Sequence, residues 1–278
     1  MDESLAALLS WYADMGADEA LDDFAHDRFA ECAEPDRRAG PAPHPERAQV
    51  PVTAQPRESP VSAPPQALAG AAQELAASAR SVEELREALL RFEGCGLKAT
   101  ATQLVFGDGN PHAKIMLVGE APGAEEDRQG LPFVGRAGQL LDKMLASIGL
   151  DRTKVYIANV VPWRPPGNRT PSPLEVAACI PFLRRQIELV DPQILVCLGG
   201  PSAQALLGCK EGISRIRGQW FDYACGERLI RAIAMLHPAY LLRQPAQKKL
   251  AWQDLRALAK EIKRLQLFPE ALSGERRS

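Results

Sequence analysis

Four apolar runs punctuate the chain, at Lys114–Gly119, Val155–Val161, Ile194–Gly199 and Ile230–Leu236. Each reads as a strand, and apolar positions at helical spacing fall between them, over Gln139–Ile148, Leu174–Leu189 and Ser202–Leu207. A last long helix covers Lys248–Leu265, and Asp191-Pro192 marks the reversal into the third strand. Apolar strands alternating with helices predict an α/β fold, a three-layer sandwich with a central, mostly parallel four-stranded sheet flanked by helices. Ahead of it, Ser81-Val82-Glu83-Glu84 has the pattern of a capping box and opens a helix over Val82–Phe92. Further upstream, Leu5, Leu8, Leu9 and Tyr12 share helical spacing, so Leu5–Phe24 reads as a short amphipathic helix. Between Pro35 and Pro65 stand 9 prolines in 31 residues. Such a segment cannot bury enough apolar surface to offset its ordering entropy, and it reads as a flexible linker. The expected layout is a helical leader over 1–30, a Pro/Ala-rich disordered linker over 31–70, a domain over 71–268 and a flexible tail over 269–278. No internal repeat interrupts it.

An apolar fraction of 46% is ample for a core. No apolar run approaches the ~18 residues that span a bilayer, and the acidic start Met1-Asp2-Glu3-Ser4 is unlike a secretory signal. The six cysteines are dispersed without paired spacing, as expected of reduced thiols in a cytoplasm. Charge is uneven along the chain. Residues 1–66 hold 13 acidic and 5 basic side chains, so the net charge of -2 hides a body that is basic by about 6. A basic body suits contact with a polyanion, although a mixed solvated surface looks much the same.

The first strand ends on Gly119-Glu120-Ala121-Pro122-Gly123, which continues as neither strand nor helix. An acidic cluster follows (Glu125, Glu126, Asp127), and then Pro132-Phe133-Val134-Gly135 precedes a helix. A carboxylate, free backbone amides and one aromatic ring are thereby gathered at the carboxyl end of a strand, where open α/β sheets place their ligands. Read for its glycines alone, the segment is equally a turn between strand and helix.

The full string is more specific. Gly119-Glu120-Ala121-Pro122-Gly123, then Gly130-Leu131-Pro132-Phe133-Val134-Gly135, then Ala137-Gly138-Gln139-Leu140-Leu141-Asp142 resembles the first motif of the uracil-DNA glycosylase superfamily, in the form carried by type 4 enzymes. Two further segments match in order: Val155–Asn159 leading into Arg164-Pro165-Pro166-Gly167-Asn168-Arg169, and His237-Pro238-Ala239-Tyr240-Leu241-Leu242-Arg243. The resemblance covers roughly Phe92 to Leu265.

A glycosylase must extract a nucleotide, hold its base and break a bond through an oxocarbenium-like state. Phe133, in a Gly/Pro-framed loop with Gly119 and Ala121 nearby, is the expected stacking ring, although a lone Phe is more often core. Asn159 ends the second strand; an Asn there is usually a turn former, and the resemblance makes it a reader of the base edge. His237, placed over the base, would donate to the oxygen that gains charge as the base leaves, and the loop after it is expected in the DNA minor groove. In the best-known branch of the superfamily an Asp orients the water where Ala121 stands here. The resemblance leaves Glu126 and Glu120 as candidates, Glu126 ahead for the water and Glu120 for positioning. Arg164, Arg169 and Arg243 are expected phosphate contacts, or else ordinary surface arginines.

Type 4 enzymes usually hold a four-iron cluster on four cysteines. Cys95 and Cys179 match two of those positions, while Phe92 and Trp163 occupy the others. Two thiolates do not hold a four-iron cluster, so the expectation is the fold without its cluster, Phe92 and Trp163 forming an apolar plug.

The resemblance implies a monofunctional glycosylase in base-excision repair, a cytoplasmic monomer at the nucleoid that acts on uracil in single- or double-stranded DNA. No Lys lies within the motifs to form a Schiff base. A product-trapping variant needs a histidine in an inserted basic loop, which Asn168–Pro173 lacks, and a non-catalytic DNA-binding member is the remaining rival. Near the end, Leu265, Leu267 and Phe268 resemble the apolar end of peptides that dock into the bacterial sliding clamp, though Arg264 stands at the usual Gln; packing back onto the body is the alternative.

Overall fold

The computed structural model describes residues 65–268, with side chains described from residue 70. The expected helix Leu5–Phe24, the linker up to residue 64 and the tail 269–278 lie outside the described residues.

Six strands form one sheet: β1 (Asp108–Gly109), β2 (Ile115–Gly119), β3 (Tyr156–Asn159), β4 (Ile194–Leu198), β5 (Trp220–Cys225) and β6 (Arg228–Met235). Their spatial order is β1-β3-β2-β4-β6-β5. The four strands expected from the sequence are β2, β3, β4 and β6, and they run parallel to one another. The sheet is mixed, however, because β1 and β5 add antiparallel edges. Neither edge has the signature of a two-sided core strand. The first is only Asp-Gly, and the second is largely half-buried or exposed.

Nine α-helices lie among the described residues. In the first half of the domain these are α1 (Pro65–Ser78), α2 (Val82–Arg91), α3 (Ala124–Gln129) and α4 (Arg136–Ala146). They are followed by α5 (Pro173–Val190), α6 (Gly200–Leu207), α7 (Ile213–Ile216), α8 (Pro238–Arg243) and α9 (Lys248–Arg264). Successive strand residues face opposite sides. Met116, Val118, Ala158, Leu195 and Cys197 turn toward a layer built from α1, α2, α5 and α6. Ile115, Leu117, Ile157, Val196 and Ile233 turn toward α4, α8 and α9. Burial on both faces is why β2, β3 and β4 read as unbroken apolar runs.

Several element boundaries and one cap differ from the sequence reading. Helix α1 starts at Pro65, inside the segment assigned to linker, because a proline is tolerated in a first turn and the alanines that follow carry a buried face at Ala72 and Ala76. Helix α4 starts at Arg136 and not Gln139, with Gly135 as its N-cap. The capping pattern at Ser81 is half fulfilled: Ser81 Oγ accepts from the Glu84 N–H at 3.1 Å, whereas the Glu84 carboxylate accepts from Arg80 N–H at 2.7 Å. At the other end, Leu265, Leu267 and Phe268 pack against the lower core, so the apolar terminus has the body for its partner.

Helix α9 is tied to the turn between α7 and β5 by a buried ion pair. Arg217 Nε donates to Asp254 Oδ2 at 2.9 Å, and its Nη2 donates to Asp254 Oδ1 and to the Leu250 carbonyl. Asp254 is only 2% exposed. Burial pushes its carboxyl up, and Arg217 works in the opposite direction. Removing one partner of a buried ion pair leaves an uncompensated charge, which is costly whatever the pair's net contribution. Arg217→Met strands the carboxylate and is expected to cost about 3–5 kcal/mol in urea unfolding. Adding Asp254→Leu should recover most of that loss; an additive double mutant would contradict this reading.

Candidate active site

All four parallel strands end at one cavity of about 530 Å³. Gly119 closes β2, Asn159 closes β3, Gly199 directly follows β4, and His237 lies two residues beyond β6 as the N-cap of α8. This is the carboxyl edge at which an open α/β sheet binds ligands.

Gly119 and Asn159 are paired neighbours in the sheet. A Cβ on Gly119 would stand 2.5 Å from Asn159 Oδ1 and 2.7 Å from Phe133 Cζ. The glycine's missing side chain is thus the space into which a carboxamide and an aromatic ring converge. Asn159 is buried, and its Oδ1 is the only buried side-chain N or O atom among the described residues without a hydrogen-bond partner. Leaving a buried acceptor unpaired costs about 1–3 kcal/mol.

Phe133 sits between α3 and α4 with φ 55°, a left-handed conformation that is an outlier for a bulky residue. Its ring lies 5.5 Å from the His237 ring, tilted by 30°. The loop is held from both sides. Glu126 Oε1 accepts from the N–H groups of Val134 (3.1 Å) and Gly135 (2.9 Å), and its Oε2 accepts from Gly123 N–H (3.1 Å). From the other side, Arg152 Nη1 donates to the Pro132 carbonyl at 3.1 Å and Nη2 donates to that of Phe133. Gly138 completes the fit, since a Cβ there would stand 1.6 Å from the Phe133 oxygen. Sequence reading missed Arg152, because nothing local marks it.

His237 is half-buried over the cavity, and its Nδ1 accepts from the Ala239 N–H at 3.1 Å. Burial, with Arg243 adding to it, pushes its pKa down to about 4. The ring is neutral at pH 7, and with Nδ1 accepting, its proton resides on Nε2. Glu120 lines the same cavity half-buried; burial raises its pKa, and a hydrogen bond from the Thr170 hydroxyl works in the opposite direction. Ala121 lines the wall and brings no carboxylate.

The three arginines are placed differently. Arg243 lines the cavity. Arg169 also reaches it but forks onto Glu175 at 2.6 and 2.9 Å, holding that carboxyl down at about 2. Arg164 lies outside the cavity lining and donates to Asn168 Oδ1 at 2.8 Å, bracing the loop.

Away from the cavity, Cys95 and Cys179 face each other with sulfurs 3.7 Å apart, both buried. The Cys179 thiol donates to the Cys95 sulfur, which lowers the Cys95 pKa and raises that of Cys179. Phe92 and Trp163 are 5% and 3% exposed, and the Phe92 ring packs 4.9 Å from that of Phe182. Gly94 makes room for it, since a Cβ there would stand 2.4 Å from Phe92 Cζ. No group of three or more His, Cys, Asp or Glu side chains that could hold a metal occurs among the described residues. Two thiols beside packed aromatic rings do not fit a four-iron cluster, which needs four thiolates.

The cavity at the strand ends thus gathers an aromatic ring, a carboxamide oxygen without a partner and an imidazole. The chain belongs to the uracil-DNA glycosylase superfamily: the family model described as Uracil DNA glycosylase superfamily matches residues 106–256. Within that family it is similar to type-4 uracil-DNA glycosylases. It is 41% identical to that of Archaeoglobus fulgidus over 182 residues, covering 64% of this chain and 92% of the relative. It is 40% identical to the Thermotoga maritima enzyme over 186 residues (66% and 95%) and 39% identical to that of Sulfurisphaera tokodaii over 210 residues (71% and 93%).

Proposed function

We propose that this chain is a monofunctional uracil-DNA glycosylase, which draws deoxyuridine out of the DNA stack and hydrolyses its N-glycosidic bond to leave an abasic site for base-excision repair. The observation that carries the reading is the unpartnered Oδ1 of Asn159 beside the Phe133 ring. Uracil presents an N–H and a carbonyl on one edge, the complement of a carboxamide, whereas cytosine presents a lone pair where uracil has the N–H. The base stacks on Phe133 and pairs with Asn159. His237 donates from Nε2 to the base oxygen that becomes anionic, in the manner of an oxyanion hole. A neutral donor does this without itself losing a proton to the leaving base.

Two roles are exchanged relative to the sequence reading. Glu126 spends both oxygens on three backbone N–H groups, so we assign it to holding the loop. Glu120, half-buried in the cavity wall with a raised pKa, is the group we assign to the attacking water. No lysine is among the described residues that line the cavity, in keeping with hydrolysis and no lyase step. Arg243 and the Arg164–Arg169 loop are proposed to meet phosphates flanking the flipped nucleotide, with a place of action on the nucleoid following from that substrate. The non-catalytic rival has no observation in its favour, because Glu120, Phe133, Asn159 and His237 all meet at one cavity. The clamp contact drops out of the reading, since Leu265, Leu267 and Phe268 are engaged by the core.

Asn159→Ala should lower kcat/KM on a single-uracil oligonucleotide by about 2–4 kcal/mol of transition-state stabilisation, with binding to undamaged DNA nearly unchanged. Full activity in that variant would remove Asn159 from the site.

The two carboxylates separate by pH. A base must be ionised, so kcat/KM should rise with pH through an apparent pKa above the ordinary glutamate range. Glu120→Gln should abolish that limb and lower the rate by about 10²–10⁴-fold, while Glu126→Gln should slow the enzyme and keep the limb. Loss of the limb in Glu126→Gln alone would reverse the assignment.

The packing of Phe92 and Trp163 leads us to propose that the protein carries no iron-sulfur cluster. Purified anaerobically, it should show neither a visible charge-transfer band nor acid-labile sulfide. Stoichiometric iron lost on Cys95→Ser or Cys179→Ser would overturn this.

A further inference from the structure

We propose that Arg152 is a positioning residue for uracil excision, gripping the backbone of Phe133 in the conformation that presents its ring to the base. The proposal rests on the reading of Phe133 as the stacking platform. Arg152 opens the 3-10 turn Arg152–Lys154 ahead of β3 and is not part of the cavity wall. All three nitrogens of its guanidinium are in use. Besides the carbonyls of Pro132 and Phe133, Nη1 donates to Asp108 Oδ2 at 2.6 Å and Nε donates to Asp142 Oδ1 at 2.9 Å. The side chain is one-quarter exposed, so these charge-assisted bonds are partly shielded from water.

The two carboxylates aim the fork, and the carbonyls are what it holds. Asp142 comes from α4, and Asp108 comes from β1, an edge strand of two residues that carries no core side chain. The grip is needed because of what Phe133 does with its backbone. Four non-glycine residues among those described have positive φ: Phe133, Asn168, Asp191 and Gln266. Asn and Asp tolerate that region through their short polar side chains. Phe133 is the only aromatic residue of the four, and its carbonyl meets both the Arg152 fork and a glycine at position 138 that leaves room for it. Two separate accommodations at one carbonyl are what a strained, over-determined functional residue requires. A lysine would keep the charge opposite Asp108 and Asp142 but lacks the planar fork that reaches two carbonyls at once.

The test is a double-mutant cycle read on single-uracil DNA, with Arg152→Ala, Arg152→Lys, Phe133→Ala and the Arg152→Ala/Phe133→Ala pair assayed below their melting temperatures. Arg152→Ala and Phe133→Ala should each lower kcat/KM by about 10- to 100-fold, the scale of a misplaced binding group. The double variant should be no worse than Phe133→Ala within about twofold, because the arginine acts through the ring. Arg152→Lys should melt near the parent protein yet lose most of the rate, and both Arg152 variants should weaken inhibition by free uracil. Losses that multiply in the double variant, or full activity in Arg152→Lys, would overturn the proposal while leaving the stacking role intact. Full activity in Phe133→Ala would overturn the stacking role, and the proposal with it.

Discussion

The three peptide groups between Pro132 and Gly135 are gripped by opposite charges on opposite sides. A carboxylate, Glu126, collects the N–H groups of Val134 and Gly135, and a guanidinium, Arg152, collects the carbonyls of Pro132 and Phe133. A loop of this length has no ladder of its own in which to satisfy its backbone, and every buried N–H and C=O needs a partner. The two ions supply those partners and set the φ of Phe133 in a region a phenylalanine avoids. The remainder of the site is built against that ring. Gly119 has no side chain to collide with it, Asn159 reaches the same space from the neighbouring strand, and His237 lies across from it. The α/β sheet provides the rigid edge from which these groups project, and the loop provides the one surface the sheet cannot.

The same economy of packing explains the region where type 4 enzymes usually hold their cluster. Cys95 and Cys179 remain in contact, while Phe92 and Trp163 fill the other two positions with buried aromatic rings. Phe92 packs against Phe182 of α5 with the two rings tilted by 55°, and Cys179 hydrogen-bonds to Cys95. A buried pair of large aromatic side chains brings apolar contact that joins the segment after α2 to α5. The cavity lies at the strand ends, and none of these four residues lines it. Its chemistry therefore does not pass through them.

Much of this was legible in the residues. The core strands β2, β3, β4 and β6 declare themselves because burial on both faces leaves continuous apolar runs. Strands β1 and β5 do not, since one is two polar-turn residues and the other has a half-solvated face. Glu120, Phe133, Asn159 and His237 sit in contiguous motifs, and the structure brings all four to one cavity. What the motifs do not convey is which carboxylate is free. Glu126 lies in the acidic run, but only its tertiary contacts reveal that its oxygens are occupied. Arg152 is invisible for the same reason. Its four partners come from β1, the Phe133 loop and α4, and no spacing in the chain brings them together before folding does.

In the function proposed above, the unpartnered Oδ1 of Asn159 beside the Phe133 ring selects uracil in DNA for hydrolysis. The most direct measurement incubates the purified, chelator-treated protein with an oligonucleotide carrying one uracil, then divides the sample with and without alkali. Free uracil should appear in the supernatant and a strand break at that position only after alkali, with the matching thymine and cytosine oligonucleotides left whole. Intact uracil after prolonged incubation would contradict this function, as would a break that appears without alkali.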